Sequence, residues 1–317
     1  MEAIILVGGF GTRLRPLTLS IPKPLLPLAN IPMVERMIMN LPEKFDTAIL
    51  AVNYGLDEMI EYFKKRELER KIIIVPEKEP LGTGGAIRNC HKYITGTTAV
   101  FNGDVVSSIN LEEMLEFHTE KKAKGTLALW EVDDPSRFGV VEFRENRILQ
   151  FQEKPERGTE LSNLINAGTY LLEPEIIELI PPKEKISIER DIYPKIAGKD
   201  LFGFPFKGYF IDAGTPASYL EANQLVLGND GTASHEGASI RGSVLIDKSA
   251  KIKDCIIGPN AIIGPNVELE KCVVRKSVIL SDVKGYGGVV EESIIGPEIS
   301  FDTDIEQTLI SPEGQRK

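Results

Sequence analysis

The chain has 317 residues, a formal net charge of −10, 42 % hydrophobic and 26 % charged residues, and a pI near 5.1. That balance is ordinary for a globular protein, the length suits two domains, and the acidity argues against general nucleic-acid binding, which needs a basic face. No apolar run reaches the roughly 18 residues of a membrane span, and Met1–Gly9 reads as a strand meeting a glycine turn rather than a leader; the expected location is the cytoplasm. The three cysteines, Cys90, Cys255 and Cys272, do not make a disulfide framework and read as small buried hydrophobes.

In chain order, Ile4–Val7, Thr47–Val52, Ile72–Val75, Ala99–Phe101 and Thr126–Val132 read as short buried strands. Val34–Leu41, Asp57–Arg66, Gly85–Tyr93 and Leu111–Lys122 have helical spacing between them. This alternation predicts an α/β domain over 1–228: a Rossmann-like, mostly parallel sheet with helices on both faces and ligands beyond the carboxyl ends of the strands. Residues 229–237 are small and polar and read as a linker. Ile240, Ile246 and Ile252 then recur every six residues, as do Ile257, Ile263 and Leu269, and Ile257-Gly-Pro-Asn-Ala261 is nearly repeated by Ile263-Gly-Pro-Asn-Val267. An inward aliphatic every six residues, with Gly-Pro-Asn at corners, describes a short left-handed parallel β-helix over 238–300 of roughly three coils. Its phase fades after residue 280, and 301–317 reads as a polar tail.

Two motifs carry chemistry. Gly8-Gly9-Phe10-Gly11-Thr12-Arg13 follows the first strand; glycines let backbone N–H groups close on phosphate oxygens, and Arg13 can fork onto a departing pyrophosphate. Neither a Walker A lysine nor the dinucleotide glycine spacing is present. In Ile21-Pro22-Lys23-Pro24-Leu25, two prolines hold the backbone on either side of a cation, which suits Lys23 to charge developing at phosphorus. Arg13, Arg15 and Lys23 fall within eleven residues, a local basic exception in an acidic chain.

Gly-x-Gly-Thr-Arg-Leu-Arg-Pro-Leu-Thr followed by Pro-Lys-Pro-Leu resembles the opening of the nucleoside-diphosphate-sugar pyrophosphorylases. The resemblance continues in order through Pro80-Leu-Gly-Thr-Gly-Gly85, Asn102-Gly-Asp104, Glu153-Lys-Pro155, Asn166-Ala-Gly-Thr169 and Ile211-Asp-Ala-Gly-Thr-Pro216. It implies that Leu6, Gly8, Gly9, Gly11, Thr12, Glu77, Gly82 and Thr83 face the nucleotide. Gly139, Glu153, Lys154 and Asn166 would face the sugar phosphate, and Asp104 and Asp212 would hold Mg2+, which takes one or two carboxylates plus substrate phosphates. The implied reaction joins a nucleoside triphosphate to a sugar 1-phosphate by in-line displacement at the α-phosphorus, releasing pyrophosphate. Both reactants are anions already, so catalysis reduces to positioning and neutralising charge, with Arg13 and Lys23 as its agents.

Family members that use uridine or thymidine triphosphate commonly carry glutamine where this chain has Glu77. A carboxylate suits the two adjacent donors of guanine, N1–H and the 2-amino group. With the C-terminal repeat, this resembles the branch that makes GDP-mannose from GTP and mannose 1-phosphate; thymidylyl or uridylyl transfer to glucose 1-phosphate is the alternative. A hexapeptide acyltransferase would need a histidine within the repeat, and His91, His118 and His235 all precede it. A non-catalytic regulatory subunit should have lost chemical residues, whereas Arg13, Lys23, Asp104 and Asp212 are all present. A homo-oligomer, with a dimer favoured, is what the appended repeat implies.

Overall fold

The computed structural model describes residues 1–228, 231 and 234–316. Asn229, Asp230, Thr232 and Ala233 of the expected linker lie outside the described residues, as does Lys317 of the expected tail. Two compact units form: Met1–Gly9 with Met37–Phe210, and Phe10–Arg36 with Ile211–Lys317. Arg13, Lys23 and Asp212 belong to the second unit.

The first unit is built on a nine-stranded sheet. In spatial order its strands are Lys71–Pro76, Thr47–Val52, Glu2–Leu6, Thr98–Asn102, Leu164–Leu172, Gly125–Glu131, Leu201–Pro205, Arg147–Glu153 and Gly139–Arg144. The first four are mutually parallel and are the continuous apolar runs anticipated for strands buried on both faces. Beyond them the sheet turns mixed: only Gly125–Glu131 and Leu201–Pro205 pair in parallel, and the other pairings are antiparallel. One cause is local. Glu145 and Asn146 both take positive φ (51° and 68°), the geometry of a two-residue hairpin turn, which folds Arg147–Glu153 straight back on Gly139–Arg144.

The core of this unit gathers Ile4, Ile49, Val100, Leu127, Val141, Tyr170 and Tyr193, each fully buried. Helices Leu56–Lys64, Gly82–Asn89 and Leu111–Lys121 interleave with the strands. Asn110 caps the last of these by accepting from the N–H groups of Glu112 and Glu113, which satisfies donors that the first turn leaves free.

In the second unit, helix Pro216–Leu227 opens with a capping box between Thr215 and Ser218. Its buried Asn223 accepts from the Ala29 N–H at 2.9 Å, the Tyr219 hydroxyl donates to the Pro27 carbonyl, and Asn30 donates to the Ile263 carbonyl at 3.0 Å. These bonds bring Phe10–Arg36 into a unit whose other residues lie some two hundred positions later.

From Ala238 the chain visits three sheets in rotation, pairing Ala238 with Cys255, Val244 with Ala261 and Lys251 with Glu268, all in parallel. The step between those partners is 17 residues, two intervals of six and one of five. It shortens to 16 where Val273 meets Val289 and to 15 where Val290 meets Ile305. The expected fading after 280 is this shortening, and the stack runs on to Ser311 before Gly314–Arg316 folds back antiparallel. Residues 301–316 are thus built into strands rather than a polar tail, and the repeat exceeds three coils. Gly285 keeps the interior filled as the coils shrink, since a Cβ there would lie 2.4 Å from the Phe301 ring. Ile257, Ile263 and Leu269 are at most 2 % exposed, and burying each contributes about 1.5–3 kcal/mol. Cys255 and Cys272 stack one coil apart and are free thiols.

Candidate functional site

In the first unit several of the proposed nucleotide and sugar residues lie at strand ends. Strand Glu2–Leu6 runs into Gly8 and Gly9; the Leu6 carbonyl accepts from Gly103 N–H at 3.0 Å, pinning the Asn102-Gly103-Asp104 turn beside it. A Cβ on Gly8 would stand 3.6 Å from Glu77 Oε1, so Gly8 and Glu77 lie close in space. Glu77 is half-buried, and its Oε2 accepts from Leu81 N–H at 3.0 Å. Burial pushes its carboxyl up from the ordinary value, opposed by that hydrogen bond. Gly9 is exposed, and no atom lies within 4 Å of the place its Cβ would take.

The second glycine loop packs tightly against the protein itself. Gly82 has φ +71°, and a Cβ there would fall 2.6 Å from the Ile186 carbonyl oxygen. Gly84 and Gly85 N–H groups donate to that same oxygen, and Ile186 N–H donates to Leu81 O. These glycines admit the close approach of the segment around Ile186. Thr83 is likewise engaged within the protein: its hydroxyl donates to Glu189 at 2.5 Å and accepts from Ile188 N–H at 3.1 Å.

On the sugar-phosphate side, Gly139 lies directly across the ladder from Glu153, and a Cβ on it would meet Glu153 Oε2 at 2.9 Å. On a regular strand, Glu153 and Lys154 would face opposite ways. Lys154 has φ +49°, and this turn brings its Nζ to 3.8 Å from Glu153 Oε1 instead of onto the opposite face. Burial raises the Glu153 carboxyl above its ordinary range; Glu189 adds to that, while Lys154 and Arg190 pull it down. Asn166 sits at a bulge, where its Oδ1 accepts from Gly168 N–H and its Nδ2 donates to the Tyr170 hydroxyl at 2.9 Å. Glu189, absent from the sequence reading, is the residue on which Thr83 and Tyr170 converge. Its only signal was an acid within Ile186-Ser187-Ile188-Glu189.

In the second unit, Gly11 (φ +61°) opens the 3-10 turn Thr12–Leu14, leaving Thr12 and Arg13 exposed. Lys23 is 7 % exposed and stands against Gly11, its Cβ 3.0 Å from where a Gly11 Cβ would be. Proline-flanked Lys23 is therefore an interior cation rather than a solvated one. Arg13 Nη2 lies 3.3 Å from Asp212 Oδ2, in space that exists because Gly214 has no Cβ: one would sit 2.4 Å from that Arg13 nitrogen. Asp212 Oδ1 is buried and has no hydrogen-bond partner among the described residues. From the C-terminal hairpin, Arg316 Nη1 donates to the Arg13 carbonyl at 2.7 Å.

Residues 2–229 match the Nucleotidyl transferase family model. The chain belongs to that family. Residues 240–310 match a second model, the GMPPB C-terminal domain. Among curated relatives, mannose-1-phosphate guanylyltransferase 1 of Arabidopsis thaliana is 40 % identical over 93 % of this chain and 86 % of its own length. The mannose-1-phosphate guanyltransferase of Kluyveromyces lactis is 40 % identical over 80 % and 73 %. Among solved structures, HddC from Yersinia pseudotuberculosis complexed with GMP-PN aligns with TM-score 0.60 and 34 % identity, covering 71 % of this nucleotidyl transferase and 99 % of that chain. A putative glucose-1-phosphate thymidylyltransferase from Bacillus anthracis aligns with TM-score 0.65 and 25 % identity, covering 74 % and 98 %. No helix among the described residues is long and apolar enough to cross a membrane.

Proposed function

We propose that this nucleotidyl transferase makes GDP-mannose and pyrophosphate from GTP and mannose 1-phosphate. The observation that carries the base assignment is Glu77, a half-buried carboxylate facing Gly8 at the end of the first strand; the curated relatives' names point to the same substrate pair. Glu77 accepts the two neighbouring donors of guanine, and a pyrimidine, with one donor between two acceptors, matches it poorly.

In this reading the glycine turn at Gly8, Gly9 and Gly11, with Leu6 and Thr12, receives the triphosphate. Arg13 holds the departing pyrophosphate and Lys23 neutralises charge at the α-phosphorus. Lys154 binds the sugar's phosphate, while Glu153, Asn166 and the Gly139 backbone orient its hydroxyls. Thr83 and Gly82 act by shaping the nucleotide loop. Asp104 and Asp212 are the carboxylates proposed for a divalent cation, Mg2+, and the donor set fits: Asp212 Oδ1 is a buried anionic oxygen without a partner among the described residues. When bound, such a cation supplies positive charge and orients phosphate oxygens. The three rotating parallel sheets support a parallel β-helix, for which a left-handed coil and a role in homodimer formation are the expectations, in a cytoplasmic enzyme.

The test is pyrophosphate release with Mg2+, crossing GTP, UTP, dTTP and ATP with mannose, glucose and N-acetylglucosamine 1-phosphates. GTP with mannose 1-phosphate is expected to lead. Glu77→Gln should lower the GTP-to-UTP ratio of kcat/KM at least about tenfold, the worth of a charge-assisted hydrogen bond. An unchanged ratio would sink the base assignment, and no turnover with any pair would sink the enzyme.

A further inference from the structure

Glu189 lies in the short π-helical turn Ile188–Ile192 and is 9 % exposed. Single π-helical turns are frequent at functional sites. A buried carboxylate is expensive unless it is fully solvated by the protein, and here its partners among the described residues are three hydroxyls. Oε2 accepts from Thr83 at 2.5 Å and Ser187 at 2.7 Å, and Oε1 accepts from Tyr170 at 3.4 Å. Each of the two long-range partners leads to a different loop. Thr83 belongs to the glycine loop Gly82–Gly85, whose Gly84 and Gly85 N–H groups bind the carbonyl of Ile186, three residues before Glu189. Tyr170 is fully buried, and its hydroxyl accepts from Asn166 Nδ2 at 2.9 Å.

We infer that Glu189 is a positioning residue that couples the two substrate loops, holding the nucleotide loop through Thr83 and the sugar loop through Tyr170 and Asn166. The assignment of those loops to the two substrates rests on the proposed function. A neutral amide cannot replace the carboxylate. Glutamine keeps one accepting oxygen and turns an NH2 toward the other side. Either Thr83 and Ser187 or Tyr170 then loses its acceptor, and the Tyr170 oxygen, which already accepts from Asn166, has no acceptor for its own proton. A second effect supports the placement: Glu189 lies close enough to Glu153 to add to the upward push that burial gives that carboxyl. Deleting the charge should therefore also alter Glu153.

Three variants separate the arms. Tyr170→Phe removes the sugar arm and is expected to raise the KM for mannose 1-phosphate about 3–10-fold, the worth of a neutral hydrogen bond, with the GTP KM within about twofold of wild type. Thr83→Val should do the reverse. Glu189→Gln should raise both KM values. A Glu189→Gln enzyme with both KM values unchanged, even with a lower unfolding temperature, would reduce Glu189 to a purely structural group and overturn the inference. A second readout needs no turnover: Thr83→Val and Tyr170→Phe should shift the unfolding midpoint non-additively in the native background and additively in Glu189→Gln. Additivity in both backgrounds would also overturn the coupling. If wild-type protein turns over no substrate pair, the proposed function fails while this stability cycle still decides the bridge.

Discussion

Replacing Gly82 by alanine tests whether the second glycine loop is shaped by protein packing. The added Cβ would lie 2.6 Å from the Ile186 carbonyl oxygen and 3.1 Å from its carbon, on a residue with φ +71°. Alanine in that left-handed conformation costs about 1–2 kcal/mol. The obstructing atoms are backbone, so they move only if Ile186 moves. Three hydrogen bonds hold Ile186 to this loop: its own N–H to Leu81 O, and Gly84 and Gly85 N–H to its oxygen. Weakening one or two of them adds about 1–2 kcal/mol, so the total is about 2–4 kcal/mol, or a fall in Tm of about 4–16 °C at 2–4 °C per kcal/mol. Gly9→Ala is the matched control. Gly9 lacks a positive φ and would meet nothing within 4 Å, so its Tm should stay within about 1 °C while the triphosphate KM rises by about tenfold, on the order of one lost backbone–phosphate contact. Differential scanning calorimetry with steady-state kinetics reads both. A wild-type Tm for Gly82→Ala refutes the packing argument, and an unaltered triphosphate KM for Gly9→Ala refutes a phosphate at the first turn.

Further tests address the charged groups. Chelation should abolish turnover and Mg2+ restore it, and Asp104→Asn or Asp212→Asn should raise the Mg2+ concentration for half activity while lowering kcat about a hundredfold or more, the scale of electrostatic stabilisation at a reacting phosphoryl group; unchanged metal titrations would exclude both carboxylates. Arg316→Ala removes the donor to the Arg13 carbonyl; pyrophosphate-release kinetics should show kcat/KM lowered about 3–10-fold with little change in Tm, and wild-type kinetics would sever the hairpin from the Arg13 turn. His118 is buried between Thr126 and Glu173, and burial lowers its pKa despite Glu173 raising it. The unfolded chain therefore takes up a proton near its ordinary value of about 6.5 before the folded one does, so stability should be full above that pH and fall as pH drops below it toward the folded pKa. Thermal melts from pH 7.5 to 5.5 would show the loss, and His118→Asn should flatten it.

The parallel strands were legible because each is a continuous apolar run bounded by turns, as in Thr47–Val52. The hairpin joining Gly139–Arg144 to Arg147–Glu153 was not, since its turn is Glu145-Asn146 rather than Asn-Gly and its strands carry charges. The repeat was legible while its coils kept 17 residues, then vanished from a six-residue reading as they shortened. Among site residues, local spacing exposed Arg13, Lys23 and the glycine turn. It could not expose Glu189, whose partners Thr83 and Tyr170 are 106 and 19 residues away. Nor could it assign Phe10–Arg36 to the second unit, a grouping carried by bonds such as Asn223 to Ala29 across 194 residues.

Under the proposed function, the bond between Arg13 and Asp212 would make two binding events thermodynamically dependent. A cation that engaged both oxygens of Asp212 and a phosphate at the Arg13 guanidinium would each loosen the same 3.3 Å contact. Whichever arrives first has already spent the work of opening the pair, so the second binds more tightly, and by linkage the enhancement is equal in both directions. Its size is bounded by the worth of a largely exposed ion pair, about 0.2–1 kcal/mol, or at most about fivefold in either affinity. Nucleotide without metal, and metal without nucleotide, should then each bind slightly less tightly than when the other is already bound, a bias toward loading them together.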